Sequence, residues 1–104
     1  MLSFISKLFS SKPKVDYSQL IANGAVILDV RTPAEYRAGH VKGSVNIPLQ
    51  GLRGQISKLK KNKPIITCCA SGSRSASARL LLQSYGFEEV YNGGPWHTLR
   101  KFVQ

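Results

Sequence analysis

Acidic residues are scarce in this 104-residue chain: five Asp and Glu residues stand against fifteen Lys and Arg residues, which gives a formal net charge of +10. Such an excess favours anionic partners, namely small oxyanions, acidic proteins, nucleic acids or anionic lipids. No nucleic-acid-binding motif accompanies it. The basic residues are scattered, and the one dense run, residues 58–63, lacks interleaved aromatic residues. We therefore expect no nucleic-acid partner and interpret the run as the solvated, cationic end of a helix.

Cysteine is also scarce: Cys68 and Cys69 are the only two, and they are adjacent. A bridge between neighbouring residues closes almost no chain, so the sequence excludes a disulfide-stabilised scaffold and fits a reducing, cytoplasmic compartment. The two histidines, His40 and His97, lie far along the chain from this pair. Because no zinc-ligand spacing results, we expect neither a metal nor another cofactor.

A long apolar run is absent as well, so the sequence contains no transmembrane candidate and no apolar core of a signal peptide. We divide the chain into an N-terminal amphipathic segment with its linker, residues 1–14, and one globular domain, residues 15–104. Two interpretations of the segment remain open. It is disordered or docked on the domain, or it lies weakly on a membrane surface with the help of Lys7, Lys12 and Lys14. Nothing in the sequence requires more than a monomer.

Helical and strand patterns alternate through the domain. Thr32, Pro33 and Glu35 form a capping box with proline at the first helical position, which predicts a short helix ending near Gly39. The strands are predicted over residues 25–30, 44–49, 65–68 and 87–92. The other helices are predicted over residues 17–22, 52–61, 75–85 and 96–102. Apolar strands separated by helices indicate an α/β fold, with a small, mostly parallel sheet flanked by helices on both faces.

Functional sites in such sheets form at the carboxyl ends of the strands. The predicted strand ends carry Cys69, residues 29–31 and the pair Gly93-Gly94. Cys69 opens a loop of small residues that leads into a helix. Converging backbone N–H groups and the positive end of that helix would stabilise an anion there, either the Cys69 thiolate or a bound oxyanion. We therefore expect a reactive thiolate that requires no general base.

Four blocks of the sequence, taken in order, resemble the single-domain rhodaneses, which are thiosulfate sulfurtransferase-like proteins. The blocks are LDVRTPAEY (residues 28–36), GHVKGSVNIP (39–48), CASGSRS (69–75) and the stretch from GF to NGG (86–94). The similarity spans residues 15–102. Cys68 departs from the family pattern, which more usually has tyrosine or an aliphatic residue there, and so does the short spacing between Gly94 and Trp96.

The resemblance implies a sulfurtransferase without a cofactor. Cys69 would accept a sulfane sulfur from a donor such as thiosulfate, hold it as a persulfide and pass it to cyanide or a thiol. A protein sulfur donor or acceptor is a further partner that it allows. The loop amides would cradle the persulfide, and Arg74 would help to bind an anionic donor, with a solvated arginine as the alternative. The substrate-binding candidates are Ala70, Ser71, Gly72, Ser73, Arg74 and Ser75.

Two other functions remain open. The domain could hold a persulfide, or bind an acidic partner, without turnover. Counted from Cys68, the spacing Cys-x5-Arg matches the longer loop of cysteine-dependent phosphatases and arsenate reductases. Strand alternation favours Cys69, because adjacent residues face opposite sides of a strand and only one of them can enter the site. Cys68 is then interpreted as a core residue, with the resolution of an oxidised Cys69 as its alternative.

Neighbouring residues receive structural interpretations. Asp29 and Arg31 are interpreted as a buried pair or loop anchor, with substrate contact by Arg31 as the alternative. Glu35 is interpreted as the acid of the capping box, and His40 as a partner in a structural hydrogen bond. Trp96 is expected in the core, with a place at the mouth of the site as the alternative.

Overall fold

The structure is a computed structural model that describes residues 14–103. The predictions about the N-terminal segment, apart from Lys14, therefore lie outside the described residues. No helix within this part of the chain is long and apolar enough to cross a membrane. Between residues 14 and 103 there is also no cluster of three His, Cys, Asp or Glu side chains that could hold a metal ion.

Helices and strands alternate along the described residues, as the sequence predicts. The strands are β1 (Val26–Asp29), β2 (Val45–Asn46), β3 (Ile65–Cys69) and β4 (Val90–Pro95). The α-helices are α1 (Tyr17–Ala22), α2 (Pro33–Ala38), α3 (Leu49–Gln55) and α4 (Ser73–Ser84). Two 3₁₀ segments, Ile56–Lys58 and Trp96–Phe102, follow α3 and β4 respectively.

The four strands form one parallel sheet in the order β2-β1-β3-β4, which confirms the predicted α/β class. All five residues of β3 are buried, which explains the near-continuous apolar composition before Cys68. The chain passes from β1 outward to β2 on one side and then crosses to β3 on the other side. The strand order therefore reverses between β1 and β3, and their carboxyl ends form the crevice where α/β sheets bind ligands.

Helices cover both faces of the sheet, as predicted. Helices α3 and α4 pack on one face, where Leu52, Ala78 and Leu82 are completely buried. Helix α1 and the C-terminal 3₁₀ segment cover the other face, where Leu99 is buried and Trp96 packs against the cluster. Truncating a buried leucine of this kind to alanine costs about 2–5 kcal/mol. Apolar packing on both faces therefore fixes the strands whose ends carry the candidate site.

Several element boundaries differ from the predicted ones, for local reasons. Helix α3 begins at Leu49, three residues early, directly after Pro48 at φ −56°. It also ends at Gln55 and not at the predicted residue 61, because the chain tightens into the 3₁₀ segment Ile56–Lys58 and becomes extended at Leu59. The basic run, residues 58–63, is therefore not the end of a helix as predicted but lies almost entirely beyond it. Helix α4 begins at Ser73, two residues early, because Gly72 turns the chain in a single left-handed step. Strand β4 begins at Val90, where its pairing with β3 starts. Strand β2 is reduced to two residues.

Candidate active site

Cys69 is the last residue of β3 and lies at the carboxyl edge of the sheet. Asp29 ends the adjacent strand β1 and is paired in register with Cys68. The two strand ends therefore meet at the reversal of strand order, where the sequence predicted a site. The Cys69 side chain packs with Val30 and Leu82 on the face covered by α3 and α4, and it is completely buried.

A three-residue loop, residues 70–72, joins β3 to α4. Gly72 has a φ of +107°, a left-handed conformation that residues with a side chain rarely adopt. The turn brings two backbone N–H groups onto the sulfur of Cys69. The Gly72 N–H donates to Sγ over 3.0 Å, and the Ser75 N–H donates to it over 3.4 Å. Backbone N–H groups thus converge on the Cys69 sulfur, an arrangement that favours negative charge there.

The pKa of the Cys69 thiol lies below its ordinary value. Burial is the largest influence and acts in the opposite direction, because it disfavours a charged sulfur. Hydrogen bonds outweigh it: the Ser75 hydroxyl and the N–H groups of Ser75, Gly72 and Ser71 all favour the thiolate. The sulfur also lies against the first turn of α4, a 12-residue helix whose N-terminus carries partial positive charge. Cys69 thus has the environment of a nucleophilic thiolate.

Asn92 in β4 holds the loop in place, a role that the sequence pattern did not indicate. Its Nδ2 donates to the Gly72 carbonyl over 3.2 Å, and its Oδ1 accepts from the Gly94 N–H over 2.9 Å. The hydroxyl of Ser75 donates to the same Oδ1 over 2.6 Å. This side chain therefore links β4 to Gly72 and Ser75, the two residues whose N–H groups lie within 3.4 Å of the Cys69 sulfur. The sequence feature that could have indicated this role is an asparagine directly before the Gly93-Gly94 pair, at the end of a strand.

Gly93 allows β4 to approach β3 closely. A Cβ atom added at this position would lie 2.8 Å from Ile66 Cγ2 and 2.9 Å from the Thr67 carbonyl oxygen, which is closer than real Cβ contacts. The clash with the Thr67 backbone cannot be relieved by a rotamer change. Since Asn92 is the preceding residue of the strand, the missing side chain at Gly93 also sets how near Asn92 lies to the loop.

Arg74 is paired with Glu35, a contact that the sequence did not reveal. Arg74 Nη1 donates to Glu35 Oε1 over 2.7 Å, and Nη2 donates to Oε2 over 3.0 Å. Glu35 Oε1 also accepts from the Thr32 N–H over 3.0 Å, which completes the predicted capping box of α2. The hydrogen bonds from Arg74, followed by that from the Thr32 backbone, lower the pKa of Glu35 to about 2. Glu35 is therefore both the predicted capping acid and the partner of the loop arginine.

Asp29 and Arg31 form a buried ion pair, which agrees with their structural interpretation. Arg31 Nη2 lies 2.8 Å from Asp29 Oδ2, and Arg31 Nε lies 2.9 Å from Oδ1. Arg31 Nη2 also donates to the Gly39 carbonyl over 2.7 Å, and the guanidinium lies over the Trp96 ring at 4.6 Å. The hydrogen bonds with Asp29 raise the pKa of Arg31. This guanidinium is therefore occupied by contacts that anchor the segment after β1.

Cys68 packs on the face of β3 opposite to Cys69, as strand alternation predicts. It is completely buried and lies in the cluster with Ile66 and Leu99. Burial, followed by the negative charge of Asp29, raises the pKa of its thiol to about 12. The loop N–H groups donate to Cys69 rather than to Cys68, so the arrangement does not favour the loop register of phosphatases and arsenate reductases.

The histidine and tryptophan singled out in the sequence have structural contacts near the site. His40 Nδ1 lies 2.7 Å from the Tyr36 carbonyl oxygen, and its ring stacks on that of Tyr36 with 3.8 Å between centroids. This is the predicted structural hydrogen bond. Trp96 is half-buried, with the guanidinium groups of Arg31 and Arg100 at 4.6 and 4.4 Å from its ring.

The outer surface of the loop is accessible. Ala70, Ser71 and Ser73 are exposed, while the Cys69 side chain lies beneath them. A cavity of about 260 Å³ adjoins the guanidinium side of the loop. It is lined by Val30, Thr32, Pro48, Leu49, Gln50 and Arg74. This cavity offers a small anion or thiol a place next to the loop.

Comparisons with known proteins agree with this geometry. The family model of the rhodanese-like domain matches residues 14–94. The chain is 36% identical over 74 residues to thiosulfate sulfurtransferase GlpE of Ectopseudomonas mendocina (strain ymp), a match that covers 71% of this chain and 68% of that relative. It is 37% identical over 84 residues to the putative sulfur carrier protein YrkF of Bacillus subtilis (strain 168), which covers 81% of this chain but only 43% of that protein.

A solved structure of a rhodanese with anions from E. coli has a TM-score of 0.66 and 32% sequence identity to the chain. The superposition covers 70% of this chain and 88% of the other. The resemblance that the four sequence blocks indicated is therefore confirmed in sequence and in fold. The chain belongs to the rhodanese-like domain family.

Proposed function

We propose that this chain is a rhodanese-type sulfurtransferase in which Cys69 carries the transferred sulfur as a persulfide. The observation that supports the proposal most directly is the convergence of the Gly72 and Ser75 N–H groups on the Cys69 sulfur. Such preorganised donors stabilise the negative charge of the thiolate that attacks the sulfur donor and that is regenerated after the transfer. The similarity to a protein named thiosulfate sulfurtransferase points to the same chemistry.

The reaction proceeds in two displacements at sulfur. The Cys69 thiolate attacks the outer sulfur of thiosulfate; a new S–S bond forms, the S–S bond of thiosulfate breaks, and sulfite leaves with the bonding electron pair. Cyanide then attacks the terminal sulfur of the persulfide, thiocyanate departs, and the Cys69 thiolate is regenerated. A thiolate acceptor would depart as a persulfide instead. Because the loop N–H groups favour the thiolate form of Cys69, the nucleophile needs no general base to ionise it.

The remaining loop residues support this chemistry in different ways. Gly72 makes the turn, and the exposed residues Ala70, Ser71 and Ser73 form the outer wall that a donor meets. Arg74 uses two of the five N–H bonds of its guanidinium for Glu35, so three remain for an anionic donor in the adjoining cavity. The Asp29–Arg31 pair acts indirectly, by holding the segment that faces the loop.

A second candidate function is that of a persulfide carrier without fast turnover. The complete burial of Cys69 and the similarity to a putative sulfur carrier protein favour it. A buried sulfur is reached only through the loop, and a protein donor that contacts the loop has more binding energy with which to open it than a small anion has. In either function a reducing, cytoplasmic setting would keep both cysteines as the free thiols of the structure.

Intact-mass measurement after incubation with thiosulfate tests the proposal. The wild type and Cys68→Ser should gain one sulfur atom and lose it again to cyanide, whereas Cys69→Ser should do neither. If Cys69→Ser still gains the mass of one sulfur atom and Cys68→Ser does not, the assignment of Cys69 as the sulfur-carrying residue is contradicted. Loading by a protein persulfide alone, without cyanide-dependent turnover, would support the carrier function.

A further inference from the structure

A basic side chain in the first turn of α4 is held by a carboxylate from another element. Arg74 is the one cationic residue between Cys69 and Ser75, and its bidentate bond to Glu35 brings the two charges within 2.7 Å of each other. Both side chains are 35% exposed, so the pair lies at the surface of the loop and not beneath it. An anion that approaches Cys69 from this side meets a neutral pair, not a free cation.

The position of Glu35 is fixed independently of Arg74. Its Oε1 accepts from the Thr32 N–H over 3.0 Å and from Thr32 Oγ1 over 3.1 Å, in the first turn of α2. The carboxylate therefore stays beside the loop even when the arginine moves toward a ligand. It then repels any anion that Arg74 binds, and the repulsion grows with the charge of the anion.

We propose that Glu35 is a specificity-determining residue, which weakens the binding of multiply charged donors and favours donors of low charge, such as a persulfide, over a free oxyanion such as thiosulfate. This inference rests on the proposed function, because it concerns which donor loads Cys69. It assigns to the capping acid of α2 a second role that its hydrogen bond to Thr32 does not require.

The variant Glu35→Gln separates the two roles. Glutamine completes a capping box as glutamate does, so helix α2 keeps its cap while the charge beside Arg74 is removed. Glu88→Gln is a matched control, because it makes the same change in net charge at an exposed position. Glu88 lies just before β4, at the amino ends of the strands and thus opposite the edge that carries Cys69.

The rate of Cys69 alkylation depends on the charges around the sulfur, and it can be measured whether or not the protein transfers sulfur. Iodoacetate is an anion, and iodoacetamide is its neutral analogue of similar size, so access to the buried sulfur affects both alike. In a Cys68→Ala background, Glu35→Gln should raise the ratio of the iodoacetate to the iodoacetamide rate constant roughly two- to fivefold at low ionic strength. The increase should shrink as salt is added. Glu88→Gln should leave the ratio unchanged.

Two results would overturn the inference: an unchanged or lower ratio in folded Glu35→Gln, or an equal rise in Glu88→Gln, which would attribute the effect to net charge alone. If Glu35→Gln does not fold, Arg74→Gln tests the same pair of charges by removing the cation in place of the carboxylate. That variant leaves the carboxylate without its cation and must lower the ratio below the wild-type value; an unchanged ratio overturns the inference.

Steady-state kinetics distinguishes this inference from the proposed function. With thiosulfate and cyanide, Glu35→Gln should lower the KM for thiosulfate severalfold and change kcat little. A raised alkylation ratio together with no turnover in any variant would refute thiosulfate sulfurtransfer and support the charge effect. Turnover in the wild type without any change of the ratio or of KM in Glu35→Gln would support sulfurtransfer and refute the role of Glu35.

Discussion

Replacing Ser75 with alanine removes one hydrogen-bond donor from the Cys69 thiolate and leaves the backbone in place. In the protonated form, the Cys69 thiol donates to Ser75 Oγ over 3.4 Å, and the hydroxyl can donate back to the sulfur only once the thiol is ionised. The Ser75 N–H, which donates to Sγ over 3.4 Å, is retained in the variant. The hydroxyl favours the charged sulfur, so its loss favours the protonated thiol. The pKa of Cys69 should therefore rise in Ser75→Ala.

The size of this rise follows from the geometry. A hydrogen bond to a charged group contributes about 1.5–3 kcal/mol. The bond from Ser75 belongs at the lower end of that range, because it is long and because the single hydroxyl proton is also within reach of the Gly72 carbonyl, at 3.0 Å, and of Asn92 Oδ1, at 2.6 Å. A loss of about 1.4 kcal/mol raises a pKa by one unit. At a pH well below the wild-type pKa, the thiolate fraction then falls about tenfold.

The pH dependence of alkylation by iodoacetamide measures this change in a Cys68→Ala background, where Cys69 is the single thiol. The midpoint of the rate profile should move upward by about one pH unit in Ser75→Ala. Ser77→Ala is the control, since Ser77 Oγ contacts only the Ser73 carbonyl, at 3.4 Å on an exposed part of α4. A midpoint that stays in place or moves downward in Ser75→Ala would refute the assignment of this hydroxyl as a thiolate donor.

Two further predictions concern stability. Gly93→Ala should lower the free energy of unfolding by about 1–3 kcal/mol, measured by urea titration, because the new Cβ overlaps Ile66 and the Thr67 backbone; an unchanged midpoint would contradict the close approach of β4. The pKa of Glu35 is lowered from 4.5 to about 2, so its ion pair stabilises the fold above about pH 4.5 and ceases to do so as the pH falls through 2. Because both partners are partly exposed, the contribution is below about 1 kcal/mol, and the melting temperatures of wild type and Glu35→Gln should converge near pH 2. A gap that persists unchanged at pH 2 would refute this assignment.

The parts of the site that the sequence could predict are those determined within a few residues of one another. The capping box joins Thr32 to Glu35 across one helical turn, and a glycine in a tight loop indicates the left-handed turn that Gly72 makes. The opposite faces of Cys68 and Cys69 follow from strand alternation alone. The parallel sheet followed from alternating apolar strands and helices, so Cys69 could be placed at its carboxyl edge.

The contacts that the sequence could not predict join elements that are distant along the chain. Asn92 reaches the loop only because β4 lies next to β3, and that approach depends on the missing side chain of Gly93. Thr67 contacts the Ser75 carbonyl and the Tyr91 carbonyl, at 2.8 and 3.2 Å, so its role also depends on three elements together. Such side-chain networks follow from strand order and register, which local patterns do not specify.

The charge of the loop shows why this difference matters for function. Taken from the sequence, the segment from Cys69 to Ser75 contains one arginine and no acid, which indicates a cationic site for an oxyanion. In the structure a residue 39 positions away supplies the opposing carboxylate, so Arg74 enters the site as half of an ion pair. The backbone N–H groups of Gly72 and Ser75 donate to the Cys69 sulfur without an acidic side chain opposite them, and they favour its thiolate form. If Cys69 carries sulfur as proposed, the choice between donors of different charge then depends on Glu35, which lies outside the segment from Cys69 to Ser75.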